Sequence, residues 1–133
     1  KDTPLVNVVS ASANKDYNVA ADANGDVYIW GSVNGLSYTY AQKMAGFEGK
    51  NIIAVSAGYT HFIALSKDGY VYSWGANSYG QLGNNTTSNV TSLPPSNPNI
   101  YIQSVSICFF STGTLQVQTL PFSFFVTSFS DLL

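Results

Sequence analysis

The chain has 133 residues, with five Lys, no Arg, seven acidic residues, one His, one Cys and a net charge of −2. Charged residues make up 9% of it, against about a quarter in an ordinary soluble domain, while aromatics make up 14%. This excludes a charged, aromatic-poor disordered tail, a nucleic-acid binder working through a basic patch, and a disulfide framework or multi-Cys zinc site.

The charges are Lys1, Asp2, Lys15, Asp16, Asp22, Asp26, Lys43, Glu48, Lys50, Lys67, Asp68 and Asp131, so nothing between Asp68 and Asp131 is charged. A free-standing soluble surface carries mixed charges. That half is therefore expected to be covered or to belong to a larger assembly. The chain starts at Lys1 rather than Met, and Lys1 to Asn7 lacks the apolar stretch of a signal peptide. A fragment or a processed product is expected, and no compartment is indicated.

In chain order, Val19-Ala20-Ala21 predicts a strand, Ala23-Asn24-Gly25-Asp26 a turn, and Val27-Tyr28-Ile29-Trp30 the returning strand, ended by Gly31. Ile52 to Ala57 is apolar and partly β-branched, and Gly58 closes it. His61-Phe62-Ile63-Ala64-Leu65 is a short apolar run of the kind buried on both faces. Lys67-Asp68-Gly69 predicts a two-residue hairpin turn, with Asp-Gly supplying positive φ, and Tyr70 to Trp74 the returning strand. No segment keeps apolar residues at helical spacing over three turns, so an all-β fold is expected.

Sliding the chain by 44 positions lays Trp30 on Trp74 and aligns Val8–Gly31 with Ile52–Gly75 without a gap. Eight of the 24 pairs are identical: Ser12/Ser56, Ala13/Ala57, Ala20/Ala64, Gly25/Gly69, Val27/Val71, Tyr28/Tyr72, Trp30/Trp74 and Gly31/Gly75. A strand-built repeat of this period points to a propeller blade, which cannot cover both sheet faces without neighbours.

The residues Gly58, His61, Ala64 and Leu65, then Asp68, Gly69, Val71, Trp74 and Gly75, run on into Asn77, Gly80, Gln81, Leu82 and Gly83. This succession resembles the repeat of the regulator of chromosome condensation family, with Gly25, Trp30 and Gly31 as its counterpart in the first unit. The resemblance implies a β-propeller of seven four-stranded blades. The chain is then a partial propeller: two antiparallel blades plus an atypical C-terminal segment. Residues 1–106 form the repeat region, with unit one at about 8–51, unit two at about 52–99 and the start of unit three at about 100–106.

Unit one departs from the pattern. Asn14 stands where Gly58 does, Tyr17 where His61 does and Asn18 where Phe62 does, and Ser32-Val33-Asn34-Gly35-Leu36 lacks the Gly-Gln-Leu-Gly element. It is a weaker copy. A third copy starts at Ile102-Gln103-Ser104-Val105-Ser106, after the loop Leu93 to Pro98, and stops abruptly. For residues 107–133 three readings compete: a transmembrane helix, disfavoured by its polar interruptions; a degenerate strand pair including the alternating Leu115 to Thr119; and a third repeat broken by an altered reading frame or gene-model error. The last is the most economical.

No chemistry stands out. His61 has no nucleophile or carboxylate beside it in sequence, and the family's His in this slot is structural. Cys108, between apolar residues, reads as a buried thiol. Asp16, Asp22, Asp26 and Asp68 read as turn residues, since calcium-loop spacing is missing. Gly80-Gln81-Leu82-Gly83 lacks the Lys-Ser/Thr of a phosphate loop. Trp30 and Trp74 read as propeller core, and the run Gly58-Tyr59-Thr60-His61 lacks the tryptophan that a light-sensing branch of the family uses. The sequons at Asn84, Asn85 and Asn89 read as chance in an Asn-rich loop.

Neither a cofactor nor a metal is expected. The resemblance implies a non-catalytic module that binds a protein partner, with two alternatives: part of a guanine-nucleotide exchange factor for a Ran-type small GTPase, or a piece of a secreted or surface bacterial repeat protein. No nucleic acid, membrane or enzymatic activity is expected, and the remaining blades are missing. The isolated chain is expected to expose sheet faces and edges, and so to be aggregation-prone or only partly folded.

Overall fold

The structure, a computed structural model, describes residues 4–91 together with the strand backbone at 100–101, 104–111 and 114–121. The loop at 93–98, the third-copy residues Ile102 and Gln103, and the chain from 122 onward lie outside the described residues.

Among the described residues ten strands run in order: β1 Val8–Ala13, β2 Tyr17–Asp22, β3 Val27–Val33, β4 Leu36–Lys43, β5 Ile52–Ala57, β6 His61–Ser66, β7 Tyr70–Gly75, β8 Ile100–Tyr101, β9 Ser104–Ser111 and β10 Thr114–Pro121. They form two four-stranded antiparallel meanders, β1-β2-β3-β4 and β5-β6-β7-β8, and a separate hairpin of β9 and β10. The described residues contain no helix, and the expected all-β class holds.

The 44-residue repeat is a repeat of structure. β5 and β6 begin and end 44 positions after β1 and β2. The backbone bonds outside the ladders recur at the same offset. Asn14 N donates to Tyr17 O as Gly58 N does to His61 O; Ser32 N donates to Asp16 O as Ala76 N does to Thr60 O. Asn7 and Asn51, 44 apart, both hold positive φ, at 55° and 51°, and their carbonyls accept from Ala23 N and Lys67 N. Asn tolerates this left-handed region better than other non-glycine residues.

The Asp-Gly turn is longer than the sequence predicts. The register pairs Leu65 with Val71, and Gly69 N donates to Ser66 O over 3.0 Å. Only Gly69 has positive φ there, as in a three-residue hairpin loop closed by a left-handed residue. Ser66 Oγ accepts from Tyr70 N, and its counterpart Asp22 Oδ1 accepts from Asp26 N. One side-chain acceptor thus locks each turn.

The strand β4 was implied by the four-stranded blade of the resemblance but not located in the sequence. Val33 pairs with Leu36 across Asn34-Gly35, both at positive φ, which is the two-residue type I′ turn that Asn-Gly favours. In unit two the loop 77–89 takes the place of this hairpin, and among the described residues β7 pairs onward through a bridge from Gly75 to Val90 and the short β8. Among the described residues of the C-terminal segment, β9 and β10 form an antiparallel strand pair.

The core lies between the two sheets. Tyr17, Val19, Ala21 and Val27 of unit one are fully buried, against Ile52 and Val55 of β5 at 1% and 8% exposure. Burying side chains of this size contributes roughly 1.5–3 kcal/mol each. The linker after β4 supplies Met44 and Phe47, and the Phe47 ring packs on Phe62 and edge-on to Tyr72. Phe62 in turn packs against Trp74, with centroids 5.6 Å apart.

The glycine after each Trp allows this packing. At Gly75, φ is 116° and a Cβ would strike Thr60 O and lie 2.7 Å from His61 Cα; Gly31 meets Asp16 O and Tyr17 Cα in the same way. Gly35 also has positive φ but open space around it. Gly35→Ala is expected to cost about 1 kcal/mol from backbone strain alone, and Gly75→Ala at least ~2 kcal/mol more. Urea unfolding of the two variants measures the difference.

Candidate interaction loops

The strand ladders bring four loops to one end of the two sheets: 14–16, 34–35, 58–60 and 76–89. Among the described residues this end carries only Lys15 and Asp16 as charges. Asp22, Asp26, Lys43, Glu48, Lys50, Lys67 and Asp68 all fall at the opposite end. There Lys43 Nζ meets Asp26 Oδ2 at 2.6 Å, and Lys50 Nζ lies 4.9 Å from the centroid of the Tyr72 ring. Glu48 Oε2 accepts from Gly46 N, and backbone hydrogen bonds hold its carboxyl below the usual range.

The residues by which unit one departs from the repeat do structural work between the units. Asn14 Oδ1 accepts from Asp16 N and Tyr17 N, while its Nδ2 donates to Gly58 O and Tyr59 O. The Tyr17 hydroxyl, fully buried, donates to Gly58 O and His61 O. Burial pushes this phenol up to about 12, so it remains a donor throughout the ordinary pH range. Asn34 Nδ2 donates to Thr60 O at 3.3 Å. Unit one is thus not simply a weaker copy: Asn14 and Tyr17 clasp the first loop of unit two.

The sequence-marked residues fall into three places. Gly25 and Gly69 sit in turns and Gly31 and Gly75 within strands β3 and β7, all with positive φ, and Gly25 abuts the backbone of Asn51 and Ile52. Ala64 and Trp74 are buried in the sheet of unit two, with Leu65 and Val71 half-buried, Trp30 half-buried in unit one and Asp68 exposed in its turn. Trp74 Nε1 is the one buried side-chain polar atom among the described residues without a hydrogen-bond partner. His61 lies with its ring over Gly58, where no Cβ would fit.

Asn77, Gly80, Gln81, Leu82 and Gly83 build the fourth loop. Asn77 is fully buried and organises it. Its Oδ1 accepts from Leu82 N, its Nδ2 donates to Asn84 Oδ1 and Thr86 O, and its own N–H donates to Asn89 Oδ1. Leu82 is buried, and Ser73 Oγ donates to its carbonyl. Gly80 N donates to Asn77 O, and Gln81 Oε1 accepts from Tyr79 N. The result is a rigid loop whose tip presents Tyr79 at 94% exposure beside an open polar hollow lined by Gly80, Gly83, Asn85, Thr86 and Thr87. Tyr59, on the third loop of the same end, is 69% exposed. The sequence marked the Gly-Gln-Leu-Gly run but not Tyr79 or Tyr59; an aromatic between loop glycines was the available signal.

Two family models described as regulator of chromosome condensation (RCC1) repeat match residues 52–81 and 68–107. None of the curated proteins matches the chain. Among solved structures, human WBSCR16 is similar at 22% identity over 62% of this chain and 24% of its own, with a TM-score of 0.54. Prp20p of Saccharomyces cerevisiae, described with its binding to Gsp1p and histones, is similar at 17% identity over 95% of this chain and 35% of its own, with a TM-score of 0.58. The yeast RCC1 (Prp20) bound to Kap60 is similar at 19% identity over 99% of this chain and 34% of its own, with a TM-score of 0.60. The chain therefore spans about a quarter to a third of the structures it resembles.

Asn77→Ala removes the acceptor of the buried Leu82 N–H and the donors to Thr86 O and Asn84 Oδ1. Each such loss is worth about 1–3 kcal/mol. The variant is expected to lose at least ~2 kcal/mol of unfolding free energy and to become sensitive to proteolysis within 77–89, which limited digestion followed by mass spectrometry reads directly.

Proposed function

Since the chain is an RCC1-like repeat protein folded as part of a β-propeller, we propose that it is a non-catalytic protein-interaction module that binds through the loop end. The observation that carries this reading is Tyr79, held fully in solvent on a loop that a buried Asn77 makes rigid. A rigid aromatic with two torsions contributes large contact area at low entropic cost, and Ser, Gly and Asn around it supply adaptable hydrogen bonds. The end that presents it is nearly free of charge, which suits a neutral, hydrogen-bonding protein surface.

A small GTPase of the Ran type is a second reading, favoured by the description of Prp20p with Gsp1p. Exchange activity uses loops spread across a propeller face, and two units carry a small share of such a face. Binding without accelerated nucleotide release is what this chain would then show.

Affinity capture with the wild-type chain and with Tyr79→Ala as baits tests both. Tyr79 is exposed, so the substitution leaves the fold intact. We expect proteins retained by the wild type to be reduced at least tenfold on the variant; a small GTPase among them supports the second reading. Identical retention on both baits would overturn the assignment of the loop.

A further inference from the structure

We propose that Asn34-Gly35 is a site of spontaneous amide loss in the folded chain, converting Asn34 to aspartate or isoaspartate, and that this conversion undoes a contact between the two units. The inference concerns the covalent durability of the loop end and does not depend on what the loops bind.

An asparagine followed by glycine is the pair most prone to this reaction, because no side chain hinders the glycine nitrogen. The chain has two such pairs, Asn24-Gly25 and Asn34-Gly35, and Asn77-Ser78, with its small serine, comes next. The fold separates the three. Gly25 is buried, its N–H donates to Asp22 O at 2.9 Å, and a Cβ there would strike Asn51 Cα. Asn24 is held as well, its N–H donating to Asp22 Oδ1 at 2.9 Å. Asn77 is fully buried and its side-chain amide is bonded through both oxygen and nitrogen. Asn34 and Gly35 are both exposed. No atom beyond the chain neighbours lies within 4 Å of where a Gly35 Cβ would be, and among the described residues its N–H makes no hydrogen bond. The one restraint on the Asn34 amide is its bond to Thr60 O, which at 3.3 Å is long for N–H···O.

The chemistry needs only water. Gly35 N attacks Asn34 Cγ. The N–Cγ bond forms, the Cγ–Nδ2 bond breaks, and ammonia leaves with the proton of the Gly35 amide. Water then opens the cyclic imide. Breaking the new N–Cγ bond gives aspartate. Breaking the original bond from the Asn34 carbonyl carbon to Gly35 N gives isoaspartate, with the chain running through the former side chain. Nothing is oxidised or reduced.

Either product is a carboxylate, which has no proton to donate. The bond from position 34 of unit one to Thr60 of unit two is therefore lost, and a negative oxygen faces the Thr60 carbonyl. That carbonyl also accepts from Ala76 N at 2.9 Å, at the start of the fourth loop. Isoaspartate further lengthens the backbone of a turn that closes Val33 on Leu36 with two residues.

The test is to incubate the 133-residue chain at mildly alkaline pH, collect the more acidic form by ion exchange and map its peptides by mass spectrometry. In the folded chain Asn34 is expected to convert about tenfold faster or more than Asn24 and Asn77, whose reaction requires local opening. In concentrated urea Asn24 is expected to convert about as fast as Asn34, and Asn34→Gln to remove the main acidic form from the folded chain. The acidic form is expected to unfold at lower urea than its parent. Equal conversion of Asn24 and Asn34 in the folded chain would overturn the assignment. So would an Asn34 amide that survives while the urea sample converts, or an acidic form that persists in Asn34→Gln. An acidic form with an unchanged urea midpoint would overturn the loss of contact between the units.

Discussion

Two backbone amides of β5, those of Val55 and Ala57, donate to the hydroxyls of Ser10 and Ser12, and along this seam Ile52 and Val55 close over Val19, Ala21 and Val27. A four-stranded sheet has two faces and can cover neither by itself. Unit one gains its covered face from unit two, and the clasp of Asn14 and Tyr17 on the loop at 58–60 fixes the angle at which the two meet. The linker residues Met44 and Phe47 fill the wedge that remains.

What was legible in the sequence was whatever the repeat dictates at the backbone. Trp-Gly at two places 44 apart marks a glycine whose Cβ would strike the preceding strand, and such a residue cannot drift in type. The same holds for the Asp-Gly turn, although its loop length was misread, because Gly69 and a locking Ser66 hydroxyl serve a three-residue loop as well as a two-residue one. The strand β4 was not located although Leu36, Tyr38 and Tyr40 alternate with Ser37 and Thr39; that face is not buried, and seven of the eight residues are exposed. Asn34-Gly35 was the signal for it. Phe47 and Met44 escaped because they lie in a linker, where burial follows from where the two sheets meet and not from any local period.

Asn14 and Tyr17 show the limit of reading a repeat by agreement alone. Judged by identity they weaken unit one; judged by contacts they hold the units together. The loop residues divide in the same way. Asn77 and Leu82 are marked by the repeat because they are buried and make the loop rigid, while Tyr79, which a partner would touch, is exposed and left unmarked. The uncharged cleft of Ala54, Ser56, Ile63, Leu65 and Val71 is the counterpart of a face that is covered in unit one.

Hydrogen exchange at the amides of Val55 and Ala57 tests the seam most directly. β5 lies at the edge of its own sheet, so without unit one these two N–H groups would face water. If the seam holds as described, both exchange as slowly as the central amides of β6, since opening them requires the units to separate. Exchange of both at the rate of an open strand edge, while β6 stays protected, would contradict it.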